Sequence, residues 1–176
     1  MPGIDSERAF IPLSIAIVTV SDTRNLAEDK SGAILEERAK AAGHIVVARD
    51  LVTDTRDVIE AQVRAYVADP KVQVVIATGG TGITGRDVTP EAFAAVYEKD
   101  IPGFGEIFRW LSYKKIGLST IQSRASAGVA GETLLFCLPG STGACEDAWD
   151  DILVSQLDSR YRPCNFAELL PRLGER

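Results

Sequence analysis

Apolar residues follow two spacings along this chain. Residues 13–20 (LSIAIVTV), 72–77 (VQVVIA) and 133–138 (TLLFCL) are near-continuous apolar runs, and 44–51 (HIVVARDL) is a weaker run of the same kind. Continuous runs, rather than alternation, suit strands of a parallel sheet that helices cover on both faces. Between the runs the spacing turns helical. Residues 31–42 place Ile34, Leu35, Ala39 and Ala42 on one side and stop at Gly43, a residue suited to the position after a helix. Residues 57–68 carry Val58, Ala61, Val63, Ala65 and Val67 and end before Pro70. Thr89-Pro90-Glu91 reads as N-cap, first-turn proline and first-turn acid, which predicts a helix from there to about Tyr97. Residues 143–157 repeat the helical spacing with Ala144, Ala148, Trp149, Ile152, Leu153 and Leu157. Strand and helix in alternation predict a three-layer α/β/α sandwich around a mostly parallel sheet.

Residues 104–116 (FGEIFRWLSYKKI) add a helix with Phe104, Ile107, Phe108 and Leu111 on one stripe and Trp110 and Tyr113 off it. The stripe alone suits the core of a monomer. The aromatic residues outside it favour a subunit interface, hence a homo-oligomer. With 176 residues and a prior of about 150 per domain, the whole chain is expected to form a single α/β domain. Residues 1–12 are then an N-terminal extension, and 158–176, with Pro163 and Pro171, a surface tail.

Composition narrows the chemistry. Asp and Glu number 25 against 19 Lys and Arg, a net charge of −6, with hydrophobic residues at 45%. The mean hydropathy is +0.04, ordinary for a soluble globule. That balance argues against a nucleic acid held on a basic face. The lone histidine, His44, argues against chemistry that needs several imidazoles and against His-rich metal sites. Cys137, Cys145 and Cys164 form no CxxC pair, so reduced thiols in the cytoplasm are expected. The acidic first residues do not resemble a signal peptide, and every apolar run is far shorter than the roughly twenty residues that cross a bilayer. No membrane partner is expected.

Ligands of open α/β sheets sit beyond the carboxyl ends of the strands, so the turns there carry the chemistry. Four are unusual: Ser21-Asp22-Thr23, Thr53-Asp54-Thr55, Gly79-Gly80-Thr81-Gly82 leading into Arg86-Asp87, and Pro139-Gly140-Ser141-Thr142. The glycine turn has the composition of a backbone nest for phosphate. Its letters also fit GxGxxG at Gly80, Gly82 and Gly85, but a dinucleotide fingerprint opens its helix inside the motif, whereas Pro90 marks a later start. Asp54 and Asp22 each have a rival role, as a helix cap or an Asx-turn. Asp87 sits between the glycine nest and a helix start. Hard oxygen ligands beside a phosphate cradle suit Mg²⁺ bridging carboxylates and nucleotide phosphates, for which one or two carboxylates suffice. Arg86 is either a charge-neutralising partner of a phosphoryl group or a surface residue. A GxSxG nucleophile elbow at Ser141 is excluded by Pro139; Ser141 and Thr142 suit a helix cap whose N-terminus also receives an anion.

TVSDTR (19–24), ATGGTGITGRDVTPEA (77–92), IPGFGEIFRWLS (101–112), SRASAGV (123–129) and LPGST (138–142) together resemble the molybdenum cofactor biosynthesis protein B and molybdopterin adenylyltransferase family. RPCNF (162–166) and the PGST form are similar to the protein B branch. The resemblance spans about residues 13–166, and the glycine segment running into RDVTPEA is its most specific part. It implies a molybdopterin-binding fold assembled as trimers or pairs of trimers, with hand-over of product to a molybdate-insertion enzyme. It also implies transfer of AMP from ATP to the terminal phosphate of molybdopterin, with Mg²⁺, releasing pyrophosphate.

The family's two functional aspartates fall on Asp54 and Asp87, its glycine-loop threonine on Thr81, and a pocket serine on Ser112. Some members of the protein B branch lose the acid of the glycine segment; here GRDVTPEA is intact. The expected site therefore has Asp54 and Asp87 as catalytic and metal-holding residues and Gly79, Gly80, Thr81 and Gly82 around the nucleotide phosphates. Ser21, Asp22, Ser112, Ser123 and Ser141 are expected around the pterin. A non-catalytic molybdopterin binder or scaffold is the alternative, and a nicotinamide oxidoreductase the weaker third.

Overall fold

The computed structural model describes residues 2–23 and 25–175, so Arg24, the last residue of the TVSDTR segment, lies outside the described residues. In chain order the elements are β1 (Gly3–Ile4), β2 (Ser14–Val20), α1 (Lys30–Ala41), β3 (Ile45–Val52), α2 (Arg56–Ala68), β4 (Val74–Thr78) and α3 (Thr89–Ala94). Then come β5 (Lys99–Asp100), α4 (Pro102–Ile116), a 3₁₀ turn (Gly117–Gln122), β6 (Ser126–Ala130), β7 (Thr133–Leu138) and α5 (Thr142–Ala148). From α5 the chain runs through a π-helical turn (Trp149–Leu153) into α6 (Val154–Gln156), and ends with β8 (Tyr161–Arg162) and α7 (Phe166–Leu169) before a short 3₁₀ turn (Leu170–Arg172). One sheet has the order β3-β2-β4-β7-β6-β5. Its first four strands are parallel, β6 runs antiparallel to β7, and β5 antiparallel to β6. A two-stranded ribbon joins β1 to β8.

Side chains leave a strand alternately to its two faces, and two cores follow. Ile15, Ile17, Ile76 and Phe136 face one side, where α1, α4 and α5 with its continuation bring Leu35, Phe104, Phe108 and Trp149. Ala16, Val18, Val75 and Ala77 face the other, under Ile59 and Val63 of α2 and Phe93 of α3. The three layers and the mostly parallel sheet are those predicted from the apolar pattern.

Four details differ from the sequence reading. Strand β6, SAGVA, carries no strand signal in its sequence, because it holds mostly small residues where a strand usually shows β-branched ones. Packing dictates them: a Cβ on Gly128 would sit 2.5 Å from the Tyr97 ring. The Thr-Pro helix is shorter than expected, stopping at Ala94 with Val88 rather than Thr89 at its N-cap. On α4, Ile107 is 41% exposed instead of lying on the buried stripe. Segment 158–176 is more than a surface tail, since Asn165, Ala167 and Leu170 are buried and the Phe166 ring packs at a tilt on Phe136.

Candidate functional site

The carboxyl ends of β2, β4 and β7 open into a cavity of about 870 Å³. All eleven residues singled out from the sequence line it. Ser21 and Asp22 come from the turn after β2, Asp54 from the turn after β3, and Gly79, Gly80, Thr81 and Gly82 from the turn after β4, with Asp87 at the far end of the same loop. Ser112 comes from α4, Ser123 from the segment before β6, and Ser141 from the start of α5.

The turns hold one another. Asp22 Oδ1 accepts the backbone N–H of Asp54 at 3.0 Å, and its other oxygen pairs with Arg86. Asp22 therefore ties three loops together, and those bonds hold its carboxyl below the usual carboxylate range. Asp54 does not cap α2, whose N-cap Thr55 makes no side-chain cap bond. Its Oδ1 is buried without a hydrogen-bond partner. Burial first, then the charges of Asp22 and Asp87, push its carboxyl above the usual value. A desolvated carboxylate oxygen with no donor is costly unless a cation, a donor or a proton meets it.

Asp87 behaves differently. Its Oδ2 accepts the Thr84 N–H at 2.9 Å and the Thr84 hydroxyl at 2.5 Å, which folds the tip of its own loop. The Thr84 hydroxyl, with the backbone N–H groups of Thr84 and Gly82, keeps its carboxyl low despite partial burial. Oδ1 retains lone pairs for a ligand. Ser141 caps α5, accepting the Ala144 N–H at 3.2 Å.

The glycines divide between packing and site. Gly79 (φ 105°) lies against the Val20 carbonyl and the Cα of Gly140, so it is demanded by the crossing of two turns. Gly80 (φ 62°) lies between the Thr89 hydroxyl and the Asp54 carboxylate, where a Cβ would come within 2.9 Å of Asp54 Oδ1. Helix α3 begins only at Thr89, four positions after the last glycine of the GxGxxG-like letters, and spans 6 residues. That geometry is unlike a dinucleotide turn, in which the helix N-terminus meets the pyrophosphate.

Three features of the site escaped the sequence reading. Arg124 donates to the Gly82 carbonyl at 2.7 Å and the Asp87 carbonyl at 2.6 Å, and pairs with Glu91. Asp29, 2% exposed, accepts from Thr19 and the Gly32 N–H and pairs with Arg49 at 3.0 Å, fixing the β2–α1 loop. Lys115 on α4 reaches Asp147 of α5 at 2.5 Å across the cavity wall. It is the one basic side chain among the described lining residues, beside four aspartates. Apart from the local Gly32–Asp29 bond, these partners lie 10 to 42 positions apart in sequence, where no local spacing reports them.

Among the described residues no group of three or more His, Cys, Asp or Glu is arranged to hold a metal by itself. The donor set nevertheless fits Mg²⁺, which takes one or two protein carboxylates and completes its shell with water and phosphate oxygens. Asp54 Oδ1 is the one buried carboxylate oxygen among the described residues that lacks a partner.

Residues 16–159 match the family model described as "Probable molybdopterin binding domain". The chain is 53% identical over 157 residues to molybdenum cofactor biosynthesis protein B of Escherichia coli K12, covering 89% of this chain and 92% of that one. A crystal structure of a molybdenum cofactor biosynthesis protein B superposes with a TM-score of 0.87 at 39% identity, covering 96% of this chain and all of that one. The tungsten cofactor synthesizing protein of Pyrococcus furiosus superposes with a TM-score of 0.75 at 31% identity, over 93% of this chain and 98% of that one. The chain belongs to the molybdopterin-binding-domain family, as a relative of molybdenum cofactor biosynthesis protein B.

Proposed function

We propose that this protein acts in molybdenum cofactor biosynthesis by transferring AMP from Mg-ATP to the terminal phosphate of molybdopterin. A phosphate oxygen of the pterin substrate attacks the α-phosphorus of ATP. As that P–O bond forms, the bond from the α-phosphorus to the bridging oxygen breaks, and pyrophosphate leaves with the electron pair. Phosphoryl and nucleotidyl transfers need positioning and charge neutralisation more than covalent help from the protein. The glycine turn and Thr81 receive phosphate oxygens, and Asp54 and Asp87 flank them. Asp54 and Asp87 would hold Mg²⁺, which would supply charge neutralisation when bound. Ser21, Asp22, Ser112, Ser123 and Ser141 surround the pterin and its phosphate.

The observation that carries this reading is Asp54: a buried carboxylate oxygen without a partner, beside a glycine turn, in a cavity that two acidic neighbours make attractive to a cation. One observation favours the alternative of a silent molybdopterin binder, namely that Asp87 already uses one oxygen to fold its own loop. Pyrophosphate release separates the two: pterin-dependent release supports the transferase, and tight pterin binding without release supports the binder.

The protein is further proposed to work as a homo-oligomer, a trimer or a pair of trimers. Support comes from α4 and the turn after it, where Trp110 (55%), Tyr113 (54%), Leu118 (77%) and Ile121 (80%) stand exposed. Large exposed apolar groups in adjoining segments are characteristic of protein interfaces.

A further inference from the structure

We infer that Arg124 is a positioning residue of the nucleotide end of the cavity, acting through the glycine loop. Its guanidinium enters the loop from outside the cavity lining and holds two carbonyls at once, Gly82 at 2.7 Å and Asp87 at 2.6 Å. A third nitrogen is anchored by Glu91 at the start of α3. The Gly80 carbonyl is separately held by the Thr89 N–H at 3.0 Å. The loop is thus gripped by its carbonyl oxygens at Gly80, Gly82 and Asp87, while the N–H groups of Gly79, Gly82 and Thr84 go to Leu138 and Asp87, so what it offers to an anion is the amide edge at Gly80 and Thr81. One planar fork on Gly82 and Asp87 also fixes the separation of the phosphate turn from the Asp87 carboxylate, which folds the tip between them.

Lysine cannot replace this arrangement. Its ammonium is a point charge with no rigid fork, so it holds one carbonyl well and the pair poorly. The role belongs to the glycine loop, because the hydrogen bonds of Arg124 go to Gly82, Asp87 and Glu91 and none goes to Ser112, Ser123, Ser141 or Asp147. This inference rests on the nucleotide reading of the site, and its test is built to fail separately from that reading.

The test is calorimetric titration of the purified full chain with the Mg²⁺ complex of an ATP analogue whose α–β bridging oxygen is a methylene, and separately with molybdopterin. The variants are Arg124→Lys, Glu91→Gln, and Arg38→Gln as a stability control, since Arg38 pairs with Asp150 away from the cavity lining. Arg124→Lys is expected to weaken nucleotide binding about tenfold or more, the worth of one charge-assisted hydrogen bond, with pterin affinity unchanged and a melting temperature close to that of Arg38→Gln. Glu91→Gln, which keeps both carbonyl bonds, is expected to weaken the nucleotide in the same direction by less. Should Arg124→Lys fail to fold, the Glu91→Gln shift decides: a nucleotide-only loss supports the inference, and wild-type affinity overturns it. Nucleotide affinity unchanged in Arg124→Lys, or nucleotide and pterin affinities falling together with the melting temperature, overturns it as well. A wild-type protein that binds the pterin and no nucleotide overturns the nucleotide reading itself and this inference with it.

Discussion

Asp54 and Asp87 stand on one rim of the cavity, yet their surroundings drive their carboxyl groups in opposite directions. Asp54 is held up by burial and by like charges. The folded chain therefore binds its proton more tightly than the unfolded chain does, and its favourable contribution to stability is lost as pH rises through the folded value. Asp87 is held down by donors from Thr84 and Gly82, so its contribution is present at neutral pH and is lost as pH falls through its lowered value. At pH 7 Asp54→Asn is accordingly expected to leave the midpoint of urea unfolding equal to or above that of the wild type, because it removes one of three neighbouring negative charges. Asp87→Asn keeps an acceptor for Thr84 and is expected to fold with the same far-ultraviolet dichroism as the wild type while losing adenylyl transfer. Wild-type turnover in Asp87→Asn would confine that residue to loop folding.

Among the elements, the glycine loop and β6 are where backbone geometry and function meet. Gly80→Ala places a methyl group against the Thr89 hydroxyl and Asp54 at a positive φ, so a loss of about 1–3 kcal/mol is expected on urea unfolding. Nucleotide affinity should fall with it. The strands at 13–20, 72–77 and 133–138 were legible because their β-branched and apolar runs fit a two-sided sheet. Strand β6 was not, because Gly128 is dictated by the closeness of Tyr97 and most of its neighbours in the strand are small residues rather than β-branched ones. The same division holds in the site. Asp54, Asp87 and the glycines were readable because each sits at the end of a recognisable strand or the start of a helix. Arg124 was not, since it meets Gly82 and Asp87 only after the chain has crossed the sheet, 42 and 37 positions away. The Asp29–Arg49 pair escaped for the same reason, at a separation of 20.

Two consequences concern the whole molecule. His44 is buried beside Phe10 and Trp149, accepts the Leu13 N–H on Nδ1 at 3.1 Å, and leaves Nε2 without a partner. Burial pushes its pKa below the ordinary value near 6.5, with the charge of Asp158 opposing. On acidification the unfolded chain takes up this proton first, so His44 lowers stability as pH falls below about 6.5, until the folded pKa is passed. Between pH 7 and 5 the unfolding free energy of the wild type is expected to fall further than that of His44→Asn. Equal slopes would assign the acid sensitivity to other groups. If the proposed homo-oligomer forms through the exposed residues of α4, Trp110→Glu together with Tyr113→Glu is expected to move the protein to a smaller species in sedimentation velocity; an unchanged sedimentation coefficient would remove those residues from the interface.

Adenylyl transfer at a cavity organised around Asp54 is read out by release of pyrophosphate from Mg-ATP in the presence of molybdopterin. The wild type is expected to release pyrophosphate only when the pterin is present. In Asp54→Asn the rate should fall by about a hundredfold or more, the scale of losing one preorganised electrostatic contact to the reacting group, with the fold retained. A wild-type protein that binds molybdopterin tightly and releases no pyrophosphate, or an Asp54→Asn protein as fast as the wild type, would rule out adenylyl transfer organised by Asp54.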